Sequence, residues 1–278
     1  MLAIGATGPA TGHVHGEHLR IPAVEVLSAE KIFANGTRAL DPIDLVVGQN
    51  DFLTLIGPSG CGKSTLLKLV ANLLEPSEGR ILWWRSGFEK IGSDGHRLSF
   101  VFQDPTLMPW ARVAANVRLP LDLAGVNRAE ADQRVAAALA HVGLDGVARH
   151  YPRQLSGGMR MRVAIARGLV TEPNLLLMDE PFGALDEFTR NRLDGDLVRL
   201  WWDRKLTIIF VTHSIYEAVF LSTRVAVMAA DPGRIFKLMR IDQEQPRDET
   251  FRNSPGFAEH CRALSAALAE ASTSSRKP

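Results

Sequence analysis

Cysteine is nearly absent: the 278 residues hold two, Cys61 and Cys261. That excludes a disulfide framework and suits a reducing compartment. Charge bias is also missing, because 32 Lys and Arg against 31 Asp and Glu leave a formal net charge of +1. Bulk charge therefore draws the chain neither to nucleic acid nor to an anionic membrane. Long apolar runs are lacking too, and none approaches the ~18–20 residues that a membrane span needs. The N-terminus has no basic region followed by an apolar core, so no secretory signal is expected. The length still allows a sizeable core, arranged as one large α/β domain with subdomains.

What the chain does carry is a phosphate loop. Gly57-Pro58-Ser59-Gly60-Cys61-Gly62-Lys63-Ser64 fits the pattern G-x-x-x-x-G-K-[ST]. Asp51–Ile56 before it is short, apolar and bounded by turn residues, as a buried strand is. Lys63–Leu74 after it repeats leucine and valine at helical spacing. In this context Gly57, Gly60 and Gly62 let backbone N–H groups face phosphate oxygens, and the helix start adds its positive end. Lys63 is placed to reach the β- and γ-phosphates, the Ser64 hydroxyl to ligate Mg²⁺, and Thr65 to add a donor. Cys61 reads as a small loop residue and not as a nucleophile.

Two further strands end in polar residues. Leu175–Met178 runs into Asp179 and Glu180, and an acid at the carboxyl end of a parallel strand is where a doubly wound sheet places its chemistry. Asp179 suits a Mg²⁺ carboxylate, and Glu180 a base acting on the attacking water. Thr207–Thr212 runs into His213, which carries weight only beside the other motifs.

The order of phosphate loop, Gln103, Leu155-Ser156-Gly157-Gly158, Leu175–Glu180, Ala184-Leu185-Asp186 and His213 resembles the ATP-binding cassette ATPases over nearly all of residues 24–240. The resemblance implies roles position by position. Phe33 stacks on adenine, and Gln103 lies at the Mg²⁺ and the water while sensing a membrane partner. Ser156, Gly157 and Gly158 contact the γ-phosphate held by the opposite subunit. Asp186 belongs to the loop across that interface, and His213 is the switch histidine. The Ser156–Gly158 turn is a second anion-binding element at a helix start. Two anion sites and one γ-phosphate are reconciled in a closed head-to-tail homodimer with ATP at its interface.

Phe102–Trp110, Asn116-Val117, Met159, Glu217–Leu221 and Asp231–Ile235 resemble the nitrate/sulfonate/taurine branch of bacterial importers. That branch also includes members importing pyrimidine-type or other organic ligands. Ser214 departs from the acidic residue frequent there, and Trp83–Phe88 is an unusual hairpin. The resemblance implies an ATP- and Mg²⁺-dependent subunit, peripheral on the cytoplasmic face of the inner membrane. Its partners would be two transmembrane permease subunits and, indirectly, an external solute-binding protein, with no nucleic acid. A soluble cassette ATPase acting on DNA or the ribosome would need a second cassette or a long coiled coil. A small-molecule kinase would leave Leu155–Gly158 and His213 unexplained.

The expected fold is α/β: a RecA-like, mainly parallel P-loop core with an N-terminal antiparallel β-subdomain and an inserted helical subdomain. Residues 1–22 read as a flexible extension, since no cysteine or carboxylate cluster completes a ligand set for His13, His15 and His18. Residues 23–240 form the ATPase domain, with the helical part at about 104–170, and 241–278 a terminal helix over Phe257–Glu270 and a frayed tail from Ser272. Arg160, Arg162 and Arg167 read as a solvated or interface-facing helix side. Leu107-Met108-Pro109-Trp110 suits either a partner's groove or the helical core.

Overall fold

The structure is a computed structural model that describes residues 22–92, 95–183, 185–243 and 245–274. The extension with His13, His15 and His18 lies outside the described residues. Two long strands come first, β1 (Pro22–Ile32) and β2 (Arg38–Gly48). They pair antiparallel, and β4 (Glu78–Trp83) adds to the other edge of β1, giving the order β2-β1-β4.

The second sheet holds the chemistry. Its strands are β3 (Phe52–Ile56), β5 (Leu98–Val101), β6 (Leu175–Asp179), β7 (Thr207–Val211), β8 (Arg224–Ala229) and β9 (Arg234–Arg240). They lie in the order β5-β6-β7-β3-β8-β9, parallel except for the antiparallel edge strand β9. Continuous apolar runs such as Leu175–Met178 arise because both faces are covered. Along β3, Phe52 and Ile56 join one core cluster while Leu53 and Leu55 join the other. Along β7, Ile208 and Phe210 part from Ile209 and Val211 in the same way. Each such side chain contributes ~1.5–3 kcal/mol by leaving water.

On one face lie the antiparallel sheet and helix α1 (Lys63–Val70), whose Leu66, Leu67, Leu69 and Val70 are buried. The sequence predicted this helix as far as Leu74, but it stops four residues earlier. Asn72 adopts a left-handed φ of 54°, and the Leu73 N–H turns back to the Lys68 carbonyl at 2.9 Å. This is a Schellman ending, and it leaves Leu73 exposed. The Trp83 hairpin is anchored beside it, with the Trp83 indole N–H donating to the Val70 carbonyl at 2.9 Å.

On the other face pack α2 (Val113–Leu123), α3 (Arg128–His141), α4 (Gly157–Leu169), α5 (Glu187–Arg204) and α6 (Ile215–Leu221). Helices α2, α3 and α4 pack on one another, and Val135 and Leu139, four apart on one face of α3, turn inward. A short α7 (Glu249–Arg252) leads to α8 (Pro255–Ser274), which covers β8 and α6. The terminal helix thus includes Ser272–Ser274, which the sequence reading assigned to the tail. Its buried Leu264, Ala267 and Ala271 carry the helical repeat to that end. No helix among the described residues is long and apolar enough to cross a membrane.

The two sheets meet at Gly233. Its N–H donates to the Ala39 carbonyl and its carbonyl accepts from the Asp41 N–H. A Cβ there would lie 2.4 Å from the Cys61 oxygen and 2.7 Å from the Ala39 oxygen, both backbone atoms. Gly233→Ala is expected to destabilise the protein by about 1–3 kcal/mol through overpacking. Thermal melting checks this, and an unchanged Tm would contradict the close approach.

Candidate active site

Parallel pairing sets the site. Leu55 and Asp179 both register with Val211, and Ile56 registers with Val227. The chain segments that leave β3, β6, β7 and β8 therefore emerge at one edge of the sheet. There they border a cleft of about 480 Å³. Phe33, Ser59, Gly60, Gly62, Lys63, Ser64, Thr65, Glu180 and His213 all line it. Gly57, Pro58 and Cys61 do not; Gly57 and Cys61 are buried beneath the loop.

The loop is tight for steric reasons. A Cβ on Gly57 would stand 2.5 Å from the Met228 carbonyl oxygen. Gly62 caps α1 at a left-handed φ of 88°, where a Cβ would also meet Leu40 Cδ2 at 2.4 Å. The first N–H groups of α1 have no carbonyl within the helix to serve, so they and the helix dipole favour an anion in the cleft. Lys63 is buried, and its Nζ donates to the carbonyls of Gly57 at 2.9 Å and Pro58 at 3.0 Å. Those bonds offset the several kcal/mol that removing an ammonium from water costs. Burial pushes the Cys61 thiol up against the opposing effect of Lys63, which keeps it a neutral packing residue.

Asp179 ends β6 buried, and Ser64 Oγ donates to its Oδ1 at 2.8 Å. A hydroxyl beside one carboxylate is a hard-oxygen pair of the kind Mg²⁺ takes from a protein, the phosphates supplying the rest. The two groups fit that ion. Glu180 follows with a φ of 47°, in the left-handed region that non-glycine residues rarely occupy. Such a backbone costs ~1–3 kcal/mol and persists only where its surroundings hold it. Here the Glu180 N–H donates to the Val211 carbonyl at 3.0 Å. His213 Nε2 lies 2.5 Å from Glu180 Oε1, and Gln103 Nε2 approaches Glu180 Oε2 at 3.5 Å. Phe33 stands half-exposed on the far wall, with the Lys31 ammonium 5.8 Å from its ring centre.

Ser156, Gly157, Gly158 and Asp186 do not line this cleft. Ser156 caps α4 by accepting from the Met159 N–H, and Asp186 caps α5 by accepting from the Thr189 N–H at 2.9 Å. That bond holds the Asp186 carboxyl below its usual range. A Cβ on Gly158 would lie 3.1 Å from Thr189 Cγ2, so the two helix starts abut. The site residues thus fall into two groups, one at the sheet edge and one at the starts of α4 and α5.

The structure adds local detail that the sequence does not show. The arginines of α4 are half-buried and also bond to backbone: Arg160 donates to the Leu155 carbonyl, Arg162 to Val142, and Arg167 to Pro105 and Thr106. Arg167 thereby fixes the turn after Gln103. The Leu107–Trp110 segment is split, with Leu107 packed on the core and Trp110 76% exposed. Asn116 organises that segment: it is wholly buried, accepts from the Met108 N–H and donates to the carbonyls of Met108, Ala111 and Arg112. An asparagine at a core position of an apolar helix was the available signal. Ser214 caps α6, where its hydroxyl accepts from the Glu217 N–H.

The family profile described as "ABC transporter" matches residues 40–183. An uncharacterised ABC transporter ATP-binding protein of Methanocaldococcus jannaschii is 49% identical over 230 residues, 82% of this chain and 85% of that one. The aliphatic sulfonates import ATP-binding protein SsuB of Bacillus licheniformis is 46% identical over 231 residues, 82% of this chain and 87% of that one. Among solved structures, a dimeric ATP-binding cassette in a post-hydrolysis state with ADP and Pi superposes with a TM-score of 0.69 at 29% identity, covering 80% of this chain and all of that one. CbiO1 of Clostridium perfringens, part of the cbiONQ ABC transporter complex, superposes with a TM-score of 0.74 at 28% identity, covering 90% and 97%.

The loop geometry makes Lys63 the first residue to test. Lys63→Ala is expected to weaken ATP binding at least about tenfold, since one charge-assisted hydrogen bond is worth roughly 1.5–3 kcal/mol. Titration with a fluorescent ATP analogue measures it, and undiminished affinity would refute the assignment.

Proposed function

This chain belongs to the ABC transporter family as an ATP-hydrolysing, ATP-binding subunit, and on that premise we propose that it energises import of a small sulfonate-type solute through separate permease subunits. The observation that carries the reading is the division of the anion-binding residues. Lys63, Ser64, Glu180 and His213 line one cleft, with Asp179 bonded to Ser64 at its edge, whereas Ser156–Gly158 does not line it. A γ-phosphate that needs both must lie between two copies, which gives a head-to-tail homodimer with two ATP molecules in its interface.

Within each half-site Phe33 stacks on adenine, and Ser59, Gly60 and Gly62–Thr65 receive the phosphates, with Gly57, Pro58 and Cys61 shaping the loop behind them. Lys63 neutralises the β- and γ-oxygens. Ser64 and Asp179 would hold Mg²⁺, with Gln103 reaching in from beside Glu180; when bound, that ion would offset charge on the transferring phosphoryl group. The Glu180 carboxylate takes the proton of the attacking water, and His213 fixes that carboxylate from the other side. Ser156, Gly157 and Gly158 of the second copy close on the γ-phosphate, with Asp186 lining the seam. Hydrolysis transfers the γ-phosphoryl group to water, and release of that phosphate takes away the anion that joins the halves, which then separate.

Two permease subunits place the complex on the cytoplasmic face of the inner membrane, with an external binding protein delivering solute. Exposed Trp110, in the segment between Gln103 and α2, is the surface offered to a permease. The sulfonate reading rests on the Phe102–Trp110 and Asp231–Ile235 motifs and on the likeness to SsuB. Nitrate, taurine and pyrimidine-type ligands share those motifs and are the competing cargoes.

Glu180→Gln is expected to bind ATP normally while turning over ~10²–10⁴-fold more slowly, the usual contribution of a positioned base. It should accumulate as an ATP-bound dimer by size exclusion and bring a multi-span permease out of solubilised membranes. Normal turnover would sink the assignment of the base; recovery of ribosomes or DNA would sink the transporter reading.

A further inference from the structure

Beneath the active edge lies a cluster of four charges that the proposed chemistry does not use. Asp194 and Glu217 are buried acids, and Arg190 and Arg252 are the bases that face them. Glu217, in the first turn of α6, is the centre. One carboxylate oxygen accepts from the Thr212 hydroxyl, and the other lies 3.2 Å from Arg190 Nε. Thr212 Oγ1 accepts in turn from the Ser214 N–H at 3.0 Å, and the Glu217 N–H donates to Ser214 Oγ at 3.2 Å. Both neighbours of His213 are thus tied to one residue. Arg190 reaches the other way and donates to the Leu185 carbonyl at 2.8 Å, one residue before Asp186.

We propose that Glu217 is a positioning residue: it sets the loop that presents His213 to Glu180 and, through Arg190, couples that loop to the one carrying Asp186. The inference rests on the roles proposed above for Glu180, His213 and Asp186. Geometry supports it from both ends. His213 is itself half-exposed, and its contact with Glu180 is made by a side chain whose flanking backbone is held from below. Asp186 stands at the head of α5, and Arg190 follows one turn later in the same helix. A movement of the Asp186 loop, as a second copy arrives, would be felt at Arg190, then Glu217, then His213. Burial pushes the Glu217 carboxyl up, the nearby Glu180 charge adds to this, and Thr212, Arg190 and Arg252 oppose it. A carboxylate so close to the catalytic edge carries a desolvation cost that a packing residue would not.

The test is a pair of substitutions made in two backgrounds of the full chain, with turnover followed using γ-labelled ATP. Glu217→Gln keeps shape and removes charge. It is expected to lower kcat roughly tenfold or more, since small misplacements of reacting groups can cost up to ~10²-fold. The KM for ATP should stay within about twofold, because no ground-state contact to nucleotide is removed. In the His213→Ala background the same substitution should cost little more, because its effect acts through His213. An equal loss in both backgrounds, or a wild-type kcat for Glu217→Gln, overturns the inference. Should Glu217→Gln fail to fold, Arg190→Gln carries the identical comparison: loss only with His213 present supports the coupling, and loss in both refutes it. Full activity of His213→Ala and Glu180→Gln would instead remove the reading on which the inference stands.

Discussion

Parallel pairing of β6, β7, β3 and β8 is the constraint on which the rest of this protein depends. Because these strands run the same way, every loop that follows one of them reaches the same edge. The phosphate loop, Glu180 and His213 come from three strands and more than 150 residues of chain, yet they border one cleft, and Asp179 joins them through Ser64. A parallel sheet cannot be left half-wet, so the fold must cover both faces. The antiparallel sheet with α1 covers one, and the helical layer covers the other. The cores therefore hold the strands in register, and register holds the chemistry.

Charge burial follows from that geometry. Lys63, Asp179, Asp194, Glu217 and Arg247 are all withdrawn from water. Each is compensated locally, and the manner of compensation differs. Lys63 and Arg247 donate to backbone carbonyls; Arg247 reaches those of Val219, Phe220 and Ser222 and so closes the end of α6. Among the described residues Asp194 accepts a hydrogen bond from Arg252 alone, with Arg190 and Glu217 nearby and one carboxylate oxygen unbonded, and burial above all pushes its carboxyl up to about 7. Breaking such pairs is costly because it leaves a charge stranded in low dielectric. The same property lets them transmit displacement, as a carboxylate between two loops cannot follow one without pulling the other.

Much of this was legible in one dimension. The strands Leu175–Met178 and Thr207–Thr212 announced themselves as apolar runs, and the phosphate loop by its glycines and lysine. Glu180 and His213 were placed by position after those strands, and they do meet. Legibility failed where long-range partners decide. The α1 helix had leucines to continue to Leu74, but the backbone of Asn72 ended it. Arg160, Arg162 and Arg167 look like solvent residues in any window of sequence, because the carbonyls they bond lie five to sixty-two positions away. The Gly233 contact depends on Ala39 and Asp41, more than 170 residues earlier in the chain.

By itself, then, the amino-acid order determined the chemistry and the class of fold. Phosphate loops and strand ends are local: a few adjacent residues suffice to specify a dihedral, a charge or an apolar run. Tertiary structure alone decided which of those residues meet. It split the anion-binding elements into a group at the cleft and a group at the starts of α4 and α5, and it brought Thr212 and Ser214, the neighbours of His213, onto Glu217 beside Arg190. The physical reason is that hydrogen bonds and ion pairs act over about 3 Å. Proximity on that scale is set by strand order and helix packing, which no local pattern encodes.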